Sequence, residues 1–145
     1  MDGYFHLDGE EKHLLHKILS ILERAYATTD FQLFQRIGDF VTMITGVQAG
    51  ATGTFQIGFV PPNGVPLPSP PSVAVDDTNV SLGAVSTDGL FTFTAAVAAT
   101  DTGVSFNLTI TGMNAVGTSI SHTFNVPIIA APPPQISDFT LNQLS

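Results

Sequence analysis

The sequence predicts a mainly β protein with an α-helical N-terminal unit: an antiparallel β-sandwich preceded by a helical hairpin. Two patterns and one compositional break predict it. Apolar residues recur at helical spacing as far as Ile44, then at every second position from Thr52. Short clusters of Gly, Asn and Asp punctuate the second region, as between the short strands of a sandwich. The only lysines and arginines of the 145 residues are Lys12, Lys17, Arg24 and Arg36, whereas all ten prolines lie between Pro61 and Pro134. Three units follow: a helical hairpin over 1–47, a sandwich over 52–129, and a Pro-rich spacer with an apolar tail over 130–145.

Asp8-Gly9-Glu10-Glu11 has the form of a capping box, in which Asp8 accepts from first-turn amides and Glu11 reaches back. Leu14, Leu15, Ile18, Leu19, Ile21, Leu22, Ala25 and Tyr26 then form a wide helical stripe. Thr28-Thr29-Asp30 interrupts it, and Thr29 with Gln32 offers a second cap. Phe31, Leu33, Phe34, Ile37, Phe40, Val41 and Ile44 continue at helical spacing to Gly46, a natural helix stop. Two helices cannot bury such stripes against each other alone. Self-association or docking on a larger assembly is therefore expected through Leu15, Ile18, Leu22, Phe34, Ile37, Phe40 and Val41; packing on the chain's own β unit is the competing reading.

From Thr52 the period is two. Phe55, Ile57 and Phe59 alternate with polar or small residues, as do Val73 and Val75, then Val80 and Leu82. Asp88-Gly89 turns the chain before Phe91, Phe93, Ala95 and Val97. Val104, Phe106, Leu108 and Ile110 form the clearest strand, and Gly112 to Gly117 turns it into Ile120, His122, Phe124 and Val126. His122, between apolar neighbours, reads as a hydrogen-bonded sandwich residue. Pro132-Pro133-Pro134 makes a stiff spacer. Phe139 and Leu141, with Ile136, form a tail expected either to return to the sandwich or to insert into a neighbouring subunit.

The stretch Val104–Gly112, the turn Asn114-Ala115-Val116-Gly117 and the stretch Ile120–Ile128 together resemble the last two strands of bacterial and phage immunoglobulin-like (Ig-like) domains. Asn63-Gly64-Val65-Pro66 is similar to a turn common in them. The resemblance covers residues 52–129 and implies an Ig-like sandwich; the tryptophan familiar from one inner strand is absent, as the chain has no Trp.

The formal charge of −8 and the lack of Lys and Arg after Arg36 argue against nucleic acid, whose binding requires clustered basic residues. Anionic membrane surfaces are disfavoured for the same reason, and no apolar run of about 18 residues predicts a membrane-spanning helix. Without cysteine there is no disulfide, thiolate zinc site or cysteine nucleophile. Met1 to His6 carries neither the basic nor the apolar part of a secretory signal.

Glu10-x-x-His13 has the spacing of one half of a di-iron motif, but only one such motif occurs, and His6, His13 and His16 read as helix-face residues. Asp101-Thr102-Gly103 matches the tripeptide of aspartic proteases. A homodimeric protease using Asp101 is a remote reading, because the preceding Ala98-Ala99-Thr100 lacks the expected apolar strand and the four residues 100–103 make a β-turn. Asp76, Asp77, Asp88 and Asp101 could lend oxygens to calcium, although turn-forming and solubilising roles are favoured. Hence no enzyme activity, no catalytic or metal site and no cofactor is expected. The sequence reading is a structural or interaction protein at a virion surface or outside the cell, assembling with itself or docking on protein partners, as a bacteriophage decoration, cement or fibre protein does. The alternative is an adhesive or carbohydrate-binding Ig-like module of a bacterial surface protein.

Overall fold

The computed structural model describes residues 9–62 and 67–135, except the side chains of 23–26. The cap at Asp8, His6, the turn 63–66 and the tail residues Ile136, Phe139 and Leu141 lie outside the described residues.

Among the described residues one helix precedes nine strands. α1 (Gly9–Tyr26) carries Glu10 and Glu11 in its first turn, where carboxylates oppose the positive helix end. The strands are β1 (Asp30–Ile37), β2 (Phe40–Thr42), β3 (Val47–Gln48), β4 (Thr52–Val60), β5 (Ser72–Val75), β6 (Val80–Leu82), β7 (Thr92–Val97), β8 (Ser105–Met113) and β9 (Ser119–Ile129). One sheet has the order β2-β1-β4-β7-β6 and the other β3-β9-β8-β5. Pairings are antiparallel except that β3 runs parallel to β9, through Val47↔Ile128 and Gln48↔Ile129. The N-terminal strands thus divide between the sheets: β1 pairs with β4 in one, and a few residues later β3 joins the other. Two facing sheets with these strand orders are an Ig-like sandwich.

The inner faces supply one core. Phe31, Leu33, Phe55, Ile57, Phe93, Ala95 and Val97 come from the five-stranded sheet, and Phe106, Leu108, Ile110, Ile120 and Val126 from the four-stranded one. Phe55 stacks on Phe93 with centroids 5.6 Å apart, and Phe59 meets Phe91 edge-on at 5.4 Å. No described side chain of α1 contributes to this core.

The second helix expected before residue 47 does not form. Residues 30–42 are β1 and β2, so a single helix stands before the sandwich among the described residues, and the sandwich begins near Ala27 rather than at Thr52. The cause is local and tertiary together. Phe31, Leu33 and Gln35 alternate inward while β4 pairs with seven consecutive β1 residues, from Asp30↔Val60 to Arg36↔Thr54. Gly38-Asp39 then forms a two-residue hairpin loop between the paired Ile37 and Phe40; φ is +61° at Gly38, a conformation that ends any helix there. Gly46 stops no helix. At φ +120° it carries the chain between sheets, so close to β9 that a Cβ would lie 2.7 Å from the Pro127 carbonyl oxygen.

Candidate assembly interface

In α1 every described side chain from Gly9 to Leu22 is exposed. At about 100° per residue, Leu14, Leu15, Ile18, Leu19, Ile21 and Leu22 span one arc of roughly 160°. All six are 46 to 63% exposed. Lys12, His13, His16, Lys17 and Ser20 fill the opposite side. An isolated helix of this length is marginal in water, and its apolar face normally supplies the missing stability by packing.

The helix joins the sandwich without slack. Ala27 and Thr28, immediately after α1, are almost fully buried. Asn114, in the β8–β9 turn, donates from Nδ2 to the Thr28 carbonyl at 3.0 Å. Its Oδ1 accepts the amides of Val116 (3.1 Å) and Thr118 (2.8 Å), so one side chain forms the turn and ties down the base of α1. Thr29 donates its amide to the Val60 carbonyl at 2.8 Å. Beside this base, His122 Nδ1 lies 2.7 Å from Asp30 Oδ1 and stacks on Phe124 with centroids 4.2 Å apart. That bond, then the Phe31 amide, hold the Asp30 carboxyl below its ordinary pKa. The expected hydrogen-bonded role of His122 is thereby met.

A second apolar surface belongs to the β1–β2 hairpin. Ile37, Phe40, Val41 and Met43 are exposed, Phe40 at 76% and Met43 at 83%. Phe34 lines an open groove of about 310 Å³ with Gln32, Leu33, Met43, Ile44 and Phe124. The floor of the crossing loop is Gln35. Its Nε2 donates to the Gly46 carbonyl, and its Oε1 accepts from the Thr45 amide and hydroxyl and the Gly46 amide.

The interface residues expected from sequence therefore fall on two surfaces. Leu15, Ile18 and Leu22 share the exposed face of α1. Phe34, Ile37, Phe40 and Val41 are on strands, and the hairpin tip sits at the end of the sandwich away from the base of α1. Met43, Ile44 and Phe124 were not among the expected interface residues, because only the β1–β9 approach makes them neighbours of Phe34. Asp101 forms the turn after β7, where its Oδ1 accepts the Gly103 amide at 2.8 Å. Among the described residues no group of three or more His, Cys, Asp or Glu could hold a metal ion, and no described helix is long and apolar enough to cross a membrane.

No family model matches the chain, and no curated protein matches it. Among solved structures it is similar to the crystal structure of the titin M3 domain, at 16% identity and a TM-score of 0.33, over 70% of this chain and 100% of that one.

Proposed function

We propose that this chain is a non-enzymatic structural protein in which α1 is the assembly element and the Ig-like sandwich is the displayed part. The observation that carries this reading is the apolar arc of α1, six leucine and isoleucine side chains left about half exposed beside a sandwich whose core is complete without them. Covering them would gain on the order of 1 kcal/mol for each side chain. An arc of roughly 160° is wider than the seam of a two-stranded coiled coil and suits a bundle, in which each helix touches more than one neighbour. Copies of α1 are the occupants favoured here, since the helix carries Lys12 and Lys17 as well as Glu10 and Glu11 and presents no single-signed barrier to self-association.

The displayed part is acidic, with no Lys or Arg beyond Arg36. Such a surface suits contact with solvent and with protein, not with nucleic acid. The setting we favour is a bacteriophage virion, with the chain as a decoration, cement or fibre component. The test is the native mass of the full-length protein by light scattering, beside the Leu15→Glu/Leu22→Glu variant. A discrete oligomer that becomes a monomer with an unchanged β-type circular dichroism spectrum supports the reading. A wild-type monomer at about 100 μM overturns it.

A further inference from the structure

The two sheets leave one side of the sandwich open. In β1 only Gln35, Arg36 and Ile37 pair with β2, and in β9 only Ile128 and Ile129 pair with β3. Among the described residues, the stretches 31–34 and 119–127 therefore have a strand along one edge alone. The ladders fix where their backbone groups point. Ile57 donates its amide to the Phe91 carbonyl, so Leu33, opposite Ile57, turns its own amide and carbonyl away from β4. Asn107 accepts the Asp76 amide on the β5 side, so Asn125, opposite Asn107, turns away from β8. Thr123 and Ser121 do the same at the two-residue repeat.

These two edges border the groove of about 310 Å³. Gln32, Leu33 and Phe34 line it together with Phe124, and Met43 and Ile44 complete it where the chain crosses between sheets. Successive strand residues point to opposite faces, so a wall of three in a row is the edge of β1 itself. An open edge is a template for another strand, and proteins guard it with Lys, Pro or charge. Between Phe31 and Gln35, and between Ser119 and Val126, there is no Lys, Arg, Asp, Glu or Pro.

The chain carries a segment that suits the opening. Phe139 and Leu141 flank Thr140, a repeat that puts both apolar side chains on one face when the segment is extended. Residues 130–138 can span about 30 Å, whereas Phe124 lies about 17 Å back along β9 from Ile129. That tether reaches the groove, and it holds the tail at an effective concentration in the millimolar range, above that of a neighbour's tail in dilute solution.

We propose that residues 138–142 dock in this opening of their own molecule as an added strand. Their main chain pairs with the free edge of β9, and Phe139 and Leu141 sit in the groove against Phe34 and Phe124. The segment covers the side of the sandwich that β2 and β3 leave open. The inference is independent of the assembly role of α1.

The absence of cysteine makes the test direct. Asn142→Cys in the full-length chain carries a single nitroxide, and amide NMR signals are compared with the label oxidised and reduced. The Leu15→Glu/Leu22→Glu background keeps assembly through α1 out of the readout. The expected result is broadening strongest at Leu33, Thr123 and Asn125, lost in the added Phe139→Ser/Leu141→Ser variant. In that variant hydrogen exchange at Thr123 and Asn125 should accelerate by about tenfold, with Phe106 unchanged. Spin-labelled chain mixed with isotope-enriched, unlabelled chain should show no such broadening. Broadening in the mixture would give the groove to the tail of a neighbouring copy and overturn the proposal. Broadening that is absent from both samples, or that survives Phe139→Ser/Leu141→Ser, overturns it as well.

Discussion

Gln35 grips Gly46 by both ends of its side-chain amide. Nε2 donates to the Gly46 carbonyl at 2.8 Å, and Oε1 accepts the Gly46 amide at 3.1 Å. The pair fixes the point at which the chain leaves the β1–β4 sheet for the β3–β9 sheet. Gln35→Leu fills a similar volume but strips three donors and one acceptor of their partner. We expect a loss of about 2–4 kcal/mol, read as a lower urea midpoint at unchanged m-value. Gln35→Glu, which keeps the acceptor, should lose less.

Asn114 serves the β8–β9 turn and the base of α1 at once, and two substitutions separate the duties. Asn114→Ala removes both and should cost about 2 kcal/mol. Asn114→Asp keeps the oxygen that accepts from Val116 and Thr118 but turns a carboxylate toward the Thr28 carbonyl. For that variant hydrogen exchange should accelerate at the Thr29 amide and stay slow at Thr118. Equal acceleration at both would contradict the division.

Acid should weaken the fold in a definite window. The Asp30 carboxyl is held below its ordinary value chiefly by the hydrogen bond with His122, and Asp76 and Asp88 are lowered by Asn107 and by Ser86. A carboxyl whose folded pKa is depressed contributes stability above its unfolded value, about 4, and loses it as pH falls through the folded value. Asp30→Asn should therefore flatten the stability profile below about pH 4. Asp30 is partly exposed, so solvent screening keeps the effect small, a few tenths of a kcal/mol at most.

Removing residues 1–26 should leave the sandwich folded. None of the described side chains of α1 enters the core, whereas Ala27 and Thr28 do lie buried and must be kept. We expect the truncated chain to melt within a few degrees of the full chain at equal protein concentration, and to lose self-association. A collapse of Tm by more than about 10 °C would show that the helix supports the sandwich directly.

The strands from β4 onward were legible because each repeats an apolar residue inward at every second position, with Phe106, Leu108 and Ile110 the clearest set. β1 was misread for a physical reason. Its third inward residue is Gln35, a polar side chain buried for the sake of the crossing loop, while Phe34 points outward to the groove. That exchange disguised an alternation as a helical period. The Gly38-Asp39 pair was the local signal that should have broken the helix. The approach of Asp77 to Gly103 had no such signal, since it arises only when the loops after β5 and β7 meet across the end of the sandwich. The helical face of Leu15, Ile18 and Leu22, by contrast, needed nothing beyond the spacing.

The chain comes into the sandwich at Thr28, beside Val60 at one end of β4, and leaves it after Ile129, beside Gln48 near the other end. The two points are separated by about the length of a nine-residue strand, near 30 Å. A pull on α1 against the Pro-rich C-terminal segment would therefore act along the strands. The ladders of β1 on β4 and of β9 on β8 lie across that direction, so their hydrogen bonds would bear the tension side by side instead of opening one after another.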